Sequence, residues 1–262
     1  MPGTSPLFSR YIGIDYSGAR TPDAGLPGLR VYSADQEHLP REVLPESGRS
    51  KYWSRRGIAL WLEQRLREAT PTAVGIDHGF SFPVSFFERY GLRDWAAFLE
   101  DFHRHWPTDK AEMYVDFIRD GLKGHGAARS GNPRWRRIAE QRAGAKSVFH
   151  FDVPGSVAKS THAGLPWLLY LRRQLGQRIH FWPFDGWSVP DRRSMLCEAY
   201  PALWSKLFPR DTRSQDQQDA YSIAAWLKRT DGQGQLSNYM KPALSSSETR
   251  IAETEGWILG VN

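Results

Sequence analysis

The chain has few of the residues and segments that mark secreted or membrane proteins. It has one cysteine, Cys197, among 262 residues, so an internal disulfide is impossible and a reducing compartment is expected. No apolar run approaches the roughly 20 residues that a membrane-spanning helix needs. The first residues, MPGTSPLFSR, lack the basic-then-apolar order of a signal peptide. We therefore expect a soluble cytoplasmic protein with no membrane partner.

The composition is that of a globular protein with a modest excess of positive charge. Hydrophobic residues make up 40% and charged residues 24% of the chain, which excludes an intrinsically disordered protein. The length suits one large domain, and we predict a single domain over residues 1–262. Lys and Arg total 35 against 29 Asp and Glu, a net charge of +6. This excess is compatible with a polyanionic partner such as nucleic acid.

Strand and helix patterns follow one another at both ends of the chain and predict an α/β fold. Residues 80–155 differ, since they are rich in aromatic and charged residues. We interpret them as a helical insertion within the domain, with helices at 94–106 and 111–122. Residues 230–248 are rich in Gly, Ser, Asn and Gln and predict a mobile loop. The predicted strands are 9–16, 29–34, 42–44, 73–77, 178–184 and 195–200, and the other predicted helices are 54–69, 163–175 and 214–228.

Two strand-like runs end in the same three residues. YIGIDYSGAR, residues 11–20, and AVGIDHGFSF, residues 73–82, both contain Gly-Ile-Asp, which places Asp15 and Asp77 at strand ends. Burying a carboxylate is costly unless a partner compensates its charge, and a divalent cation is one such partner. Glu198 lies in a later strand-like run. In the last helix, SQDQQDAYSIAAWL, Asp216 and Asp219 are three positions apart and therefore share a face.

Carboxylates gathered at one edge of a sheet are what two Mg²⁺ or Mn²⁺ ions need to clamp the oxygens of a phosphodiester. The sequence also leaves other interpretations of each acid open. Asp15 and Asp77 could begin turns toward nearby glycines. Asp216 could interact with the helix dipole, and Glu198 could be an ordinary edge residue. His78, beside the second strand-end acid, is either a proton relay or a histidine bonded to backbone.

Several of these motifs resemble a known superfamily. An apolar-Gly-Ile-Asp strand end, a second acid after a later strand and D-x-x-D-A opening the last helix resemble the ribonuclease H-like superfamily. The last helix, DQQDAYSIAAW, is similar to that of the Holliday-junction resolvases. Four further motifs resemble more closely the predicted nucleases called domain of unknown function 429. They are GIDHGF at 75–80, WPFD at 182–185, EAYP at 198–201 and EGWILGV at 255–261.

The resemblance implies a ribonuclease H-like domain, in which helices flank a mixed central sheet. It also implies a nuclease that uses Mg²⁺ or Mn²⁺. Five acids exceed what a two-metal site requires, so we expect one or two of them to be bystanders. The candidate catalytic residues are Asp15, Asp77, Glu198, Asp216 and Asp219, and the candidate metal ligands among them are Asp15, Asp77, Asp216 and Asp219.

Two basic segments are candidates for contact with nucleic acid. PRWRRIAEQR, residues 133–142, mixes Arg with Trp, and these side chains can bind phosphate and stack on bases. A solvated helix face is the alternative. GSVAKST, residues 155–161, lacks the glycine that a phosphate loop requires before Lys159, and Ser160 or Thr161 is expected to cap the next helix. The predicted nucleic-acid-binding residues are Arg134, Trp135, Arg136, Arg137 and Lys159.

Three classes of function are compatible with this sequence. The leading one is a metal-dependent nuclease that acts on DNA or RNA. The second is an actin-like or sugar-kinase-like phosphotransferase, whose phosphate motif is also strand-Asp-x-Gly. Here Gly18 comes one position late for that motif. The third is a nucleic-acid-binding module without catalysis.

Overall fold

The computed structural model describes residues 5–46 and 50–262. Its centre is a six-stranded sheet with the strand order β3-β2-β1-β4-β6-β5. Strands β1, β2 and β3 are antiparallel neighbours, whereas β1, β4, β6 and β5 run parallel to one another. The strands are β1 Arg10–Asp15, β2 Arg30–Asp35, β3 Arg41–Glu42, β4 Thr72–Asp77, β5 Ile179–Phe181 and β6 Ser194–Glu198.

Helices cover both faces of this sheet. Helix α7 packs on β1, β2 and β4, and α1 and α3 pack against α6. The helices are α1 Arg55–Arg67, α2 Val84–Tyr90, α3 Trp95–His105, α4 Val115–Arg119, α5 Ile138–Ala143, α6 Ala158–Leu175, α7 Gln215–Gly232, α8 Leu236–Tyr239 and α9 Ser246–Glu255. Among residues 5–46 and 50–262, no helix combines the length and apolar character that crossing a bilayer requires.

The central strands are buried on both faces because successive side chains alternate between two cores. Ile12 and Ile14 of β1 belong to one core, which includes residues of α1, α3 and α6. Tyr11 belongs to the other core, where residues of α7 and the C-terminal segment pack. This arrangement confirms the prediction of an α/β fold with a mixed sheet flanked by helices.

The glycines of the two Gly-Ile-Asp motifs allow α7 to lie directly on the sheet. Gly13 and Gly75 are register partners in β1 and β4. A Cβ atom on Gly13 would lie 2.1 Å from the carbonyl oxygen of Ala220, and one on Gly75 would lie 2.5 Å from the side chain of Ile223. Both distances are shorter than any ordinary contact. The repeated glycine is therefore a packing requirement of α7.

Most predicted elements are confirmed with shifted ends, and three segments differ more from their prediction. Helix α6 begins at Ala158, five residues before the predicted start, and α4 is much shorter than the predicted 111–122. Residues 230–248 were predicted as a loop, and this is wrong in part: they contain the end of α7, all of α8 and the start of α9. Helix α9 starts at a capping box, in which the side chains of Ser245 and Glu248 each accept a hydrogen bond from the other's backbone N–H group.

Residues 80–155 contain helices α2 to α5 and a short 3-10 turn at 126–129, and they contain no strand. Their aromatic side chains pack with one another and with α6. Phe82, for example, makes edge contacts with Phe86, Phe98 and Phe149. Since these rings belong to the same core as Ile12 and its neighbours, the segment is helical as predicted and shares a core with the sheet.

Candidate functional site

Asp15 and Asp77 end neighbouring parallel strands and are paired in register. In a strand, side chains two positions apart point to the same face. Asp15 and Asp77 therefore face the same side as Gly13 and Gly75, which is the side that α7 covers. Adjacent strands lie about 4.8 Å apart, so the two carboxylates are neighbours at one edge of the sheet.

Helix α7 brings Asp216 and Asp219 to the same edge. The helix runs antiparallel to β1, since Asp231 near its end accepts hydrogen bonds from Phe8 N (2.9 Å) and from the Tyr11 hydroxyl (2.8 Å) at the start of that strand. Its first turn is fixed by a capping box between Ser214 and Gln217. The two acids consequently lie in the turns closest to the carboxyl ends of β1 and β4.

The four acids interact through their charges. Burial raises the pKa of Asp15 well above its usual value, and the charges of Asp77, Asp216 and Asp219 raise it further. Burial, followed by the charges of Asp219 and Glu198, raises the pKa of Asp77. Burial also raises the pKa of Asp219. The strand-end and helix acids are therefore close enough for their charges to act on one another.

No cation in the described part of the chain balances this negative charge by direct contact. Asp15, Asp77, Asp216 and Asp219 take part in none of the ion pairs formed by residues 5–46 and 50–262. Gln215 donates its amide to both carboxylate oxygens of Asp219, at 2.9 and 3.0 Å, and this neutral contact offsets little charge. The charge of Arg210 lowers the pKa of Asp219 without an ion pair, so within the described ranges the edge is anionic and lacks a directly bound cation.

The side chains at this edge are not gathered into a finished metal site. Across the described ranges, no three or more His, Cys, Asp or Glu side chains are arranged so that they could hold a metal ion. The donors are nevertheless carboxylate oxygens, the ligands that Mg²⁺ and Mn²⁺ prefer. Because like charges repel, these carboxylates can gather around one point only with a cation between them. Binding an ion would require their side chains to turn toward it.

Glu198 was a candidate catalytic residue, and its position in the sheet favours a structural role, although it lines the same cleft as Asp77. It pairs with Ile76 rather than with Asp77, so its side chain points to the opposite face of the sheet. There Glu198 Oε1 lies 2.5 Å from Arg137 Nη2, and Oε2 accepts from Phe80 N at 3.0 Å. Its charge is neutralised in a buried ion pair, and we assign it a structural role.

His78 does not relay protons to its neighbour Asp77. Its Nδ1 lies 2.9 Å from the carbonyl oxygen of Gly79, and its ring is 2% exposed, between Tyr16 and Phe80. Burial lowers the pKa of His78 to about 4, so the imidazole is neutral at neutral pH. The interpretation of a strand-end histidine bonded to backbone is the one that the structure supports.

The predicted nucleic-acid-binding segment is mostly occupied by internal contacts. Arg137 is fully buried and donates to Glu140 and Glu198, so a phosphate contact from this residue is contradicted. Arg136 donates to the carbonyl oxygens of Glu140 (2.8 Å) and Ala145 (2.6 Å), where it caps the end of α5. Both were expected to touch phosphate, and both instead hold this helix in place.

The neighbouring residues of that segment are more accessible. Arg134 is exposed, and its side chain makes no hydrogen bond or ion pair with the described residues. Trp135 is half-buried, beside Phe149 and under the guanidinium of Arg89. Arg134 therefore remains available to solution, whereas most of the Trp135 ring is engaged.

Lys159 lies in the first turn of α6, close to the acidic edge. The helix begins at Ala158, with Val157 before it, so the expected cap by Ser160 or Thr161 is wrong. A Cβ atom on Gly18 would lie 2.0 Å from the carbonyl oxygen of Lys159, which shows how closely this turn packs on the loop after β1. The ammonium group pairs with Asp116 at 2.8 Å and is 39% exposed.

Two residues near Asp77 were not among the predicted site residues. Lys146 and Tyr200 line a narrow cleft together with Asp77 and the buried ion-pair group of Arg137, Glu140 and Glu198. Lys146 donates to the carbonyl oxygen of Pro154 and has no carboxylate partner among the described residues. Tyr200 belongs to the EAYP motif, so that motif could have indicated it. No local signal distinguishes Lys146 from other surface lysines.

Comparisons of this chain with protein-family models, with curated proteins and with solved structures found no match.

Proposed function

We propose that this protein is a divalent-metal-dependent nuclease on a ribonuclease H-like fold. The observation that carries the proposal is the group of four carboxylates at one edge of the sheet, none of which forms an ion pair with residues 5–46 or 50–262. Buried carboxylates close to one another are costly to maintain, and such costs concentrate at functional sites. Their closeness to one another suits bound Mg²⁺ or Mn²⁺.

The chain's own residues would perform distinct tasks. Asp15, between Asp77 and the acids of α7, would hold the ions, and the flanking acids would complete their ligand sets. Bound ions would supply Lewis-acid stabilisation of phosphoryl oxygens and lower the pKa of water. Lys146 in the adjoining cleft and the exposed Arg134 are the cations that we expect to face the phosphate backbone. A cytoplasmic location remains part of this proposal.

The test is cleavage of a panel of single-stranded, duplex and branched DNA and RNA in Mg²⁺ or Mn²⁺. We expect Asp15→Asn and Asp219→Asn to reduce cleavage by roughly 100-fold or more, since metal stabilisation supplies several kcal/mol. Asp191→Asn is the matched control, because Asp191 is exposed and lies in the loop before β6.

Calorimetric titration with Mn²⁺ accompanies the cleavage assay. Cleavage that persists in EDTA, or that Asp15→Asn retains, would refute metal-dependent catalysis. Metal binding without cleavage of any substrate would favour the non-catalytic nucleic-acid module. Binding of ATP with phosphate transfer to an acceptor would favour the phosphotransferase.

A further inference from the structure

An open groove of about 580 Å³ lies between the loop that follows β1 and the first turn of α6. Its walls include Ala19, Arg20 and Thr21 of the loop, Asp116 of α4 and Lys159 of α6. The side chain of Arg20 is exposed, and that of Lys159 is 39% exposed. The groove therefore presents two cations that a ligand in solution can reach.

Arg20 has a backbone conformation that glycine adopts more easily than any other residue. Its φ angle is 52°, which lies in the left-handed region, where a Cβ atom is disfavoured. Within residues 5–46 and 50–262 its side chain forms no ion pair. The chain thus places a cation at a strained position, and no ion pair with the described residues offsets the strain. Strain of this kind is concentrated at functional sites.

The loop that carries Arg20 is held from inside by Arg55. This arginine is 0% exposed, and its guanidinium donates to the carbonyl oxygens of Ser17 (3.1 Å), Ala19 (2.7 Å) and Arg20 (2.7 Å). Because a peptide unit is planar and trans, the N–H groups of Arg20 and Thr21 point away from the buried guanidinium. Neither N–H group has a backbone partner among the described residues. The outer side of the loop therefore combines backbone donors with a cationic side chain, a combination that suits an anion.

The same loop begins at the acidic edge. A Cβ atom on Gly28 would lie 3.5 Å from Cβ of Ser17 and 3.9 Å from Oδ2 of Asp216, so the start of the loop lies beside that acid. Ser17 and Thr21 are four positions apart, which limits the distance between them to about 14 Å. A nucleic-acid strand with one phosphate at the acidic edge can therefore reach the groove within a few nucleotides.

We propose that this groove binds the phosphate backbone of the strand that the acidic edge acts on, a few nucleotides from the bond that is cleaved. Arg20 and Lys159 contact phosphate oxygens through their charges, and the loop N–H groups donate to the same oxygens. Asp116 opposes this binding, because it pairs with Lys159 at 2.8 Å and with Arg119 at 3.6 Å. The inference rests on the proposed function for the identity of its ligand.

The experiment measures binding of a labelled DNA or RNA single strand of about 12 nucleotides by fluorescence anisotropy, in EDTA and at several salt concentrations. Arg20→Gly removes the cation and suits the left-handed backbone. Arg192→Gly is the matched control, because Arg192 is also exposed and has a φ angle of 60°. It lies before the amino end of β6, at the end of the sheet opposite to the acidic edge.

Both glycine variants should unfold within a few degrees of wild type, because relief of the left-handed strain offsets the added freedom of the unfolded chain. Arg20→Gly should weaken binding about 5-fold at about 0.1 M salt and lower the slope of log K against log salt by about 0.7, the effect of one phosphate contact on a single strand. Arg192→Gly should change neither quantity. Asp116→Asn should strengthen binding, since it removes a negative charge and frees Lys159, and a gain in affinity cannot come from a folding defect.

Absence of binding by wild type, equal salt slopes for wild type and Arg20→Gly, equal losses for the two glycine variants, or weaker binding by Asp116→Asn would overturn the proposal. Since EDTA prevents metal-dependent cleavage, binding is measured separately from catalysis. Binding that depends on Arg20 in a protein that cleaves no substrate would support the groove and count against the nuclease. Cleavage by wild type, together with binding that Arg20→Gly leaves unchanged, would count against the groove alone.

Discussion

Asp15→Asn should make the metal-free protein more stable. The substitution keeps the size of the side chain and removes one charge from a group of four acids, in which burial and neighbouring charges raise the pKa of Asp15, Asp77 and Asp219. Asp15 is central to the group, since burial and the charges of three other acids all raise its pKa. Removing its charge therefore relieves more repulsion than the same change at Asp216.

The size of the effect follows from the sheet spacing. Two charges about 5 Å apart repel by about 3 kcal/mol at an effective dielectric constant of about 20. The pair can avoid part of this cost by taking up a proton. We therefore expect the free energy of unfolding to rise by about 1–3 kcal/mol, which corresponds to a Tm increase of about 2–10 °C for a chain of this size.

The assay is thermal unfolding of wild type, Asp15→Asn and the control Asp191→Asn, each in EDTA and in Mg²⁺. The folded-state pKa of Asp15 lies above its ordinary 3.8, so ionising this acid costs folding free energy. That cost appears as pH rises through the folded-state pKa and disappears as pH falls toward about 4. The advantage of Asp15→Asn should therefore be largest above the raised pKa of Asp15 and shrink as pH falls toward about 4. Mg²⁺ should also reduce it, because metal stabilises only the form that binds it.

A lower Tm for Asp15→Asn at every pH would refute this reasoning. Such a result would indicate that the carboxylate has a structural partner, as in a turn that it caps. An equal gain for Asp191→Asn would also refute it, because the gain would then reflect net charge in general.

Three further predictions concern the surroundings of the site. In a denaturant titration, Gly13→Ala should destabilise the protein by about 3 kcal/mol or more, since the added methyl group overpacks the contact between β1 and α7. The control is Gly232→Ala in α7, where an added Cβ meets nothing within 4 Å, and it should be neutral or stabilising. Arg137→Met should lower the free energy of unfolding by about 3–5 kcal/mol, because it leaves buried carboxylates unpaired. Arg134→Met should change it by no more than about 0.5 kcal/mol, and equal losses would contradict the buried ion pair. Burial lowers the pKa of His78 to about 4. Its ring nitrogens should therefore keep the NMR chemical shifts of a neutral imidazole from pH 7 to pH 5. Titration near pH 6.5 would contradict its burial.

The sequence by itself determined most of the secondary structure near the site. Alternation and apolar stripes locate β1, β4 and α7 because these signals depend on residues a few positions apart. The cap at Ser214 is local in the same sense. The repeated Gly-Ile-Asp indicated that Asp15 and Asp77 are special, although it did not show that the glycines serve α7.

Only the tertiary structure decided which polar residues share a site. Glu198 was grouped with the strand-end acids, but a one-residue difference in register places it on the other face of the sheet, beside Arg137. That arginine looked like a surface cation because its sequence neighbours are charged. Its carboxylate partners are 3 and 61 positions away. Strand register and burial depend on contacts between distant segments, so no local pattern in the chain could specify them.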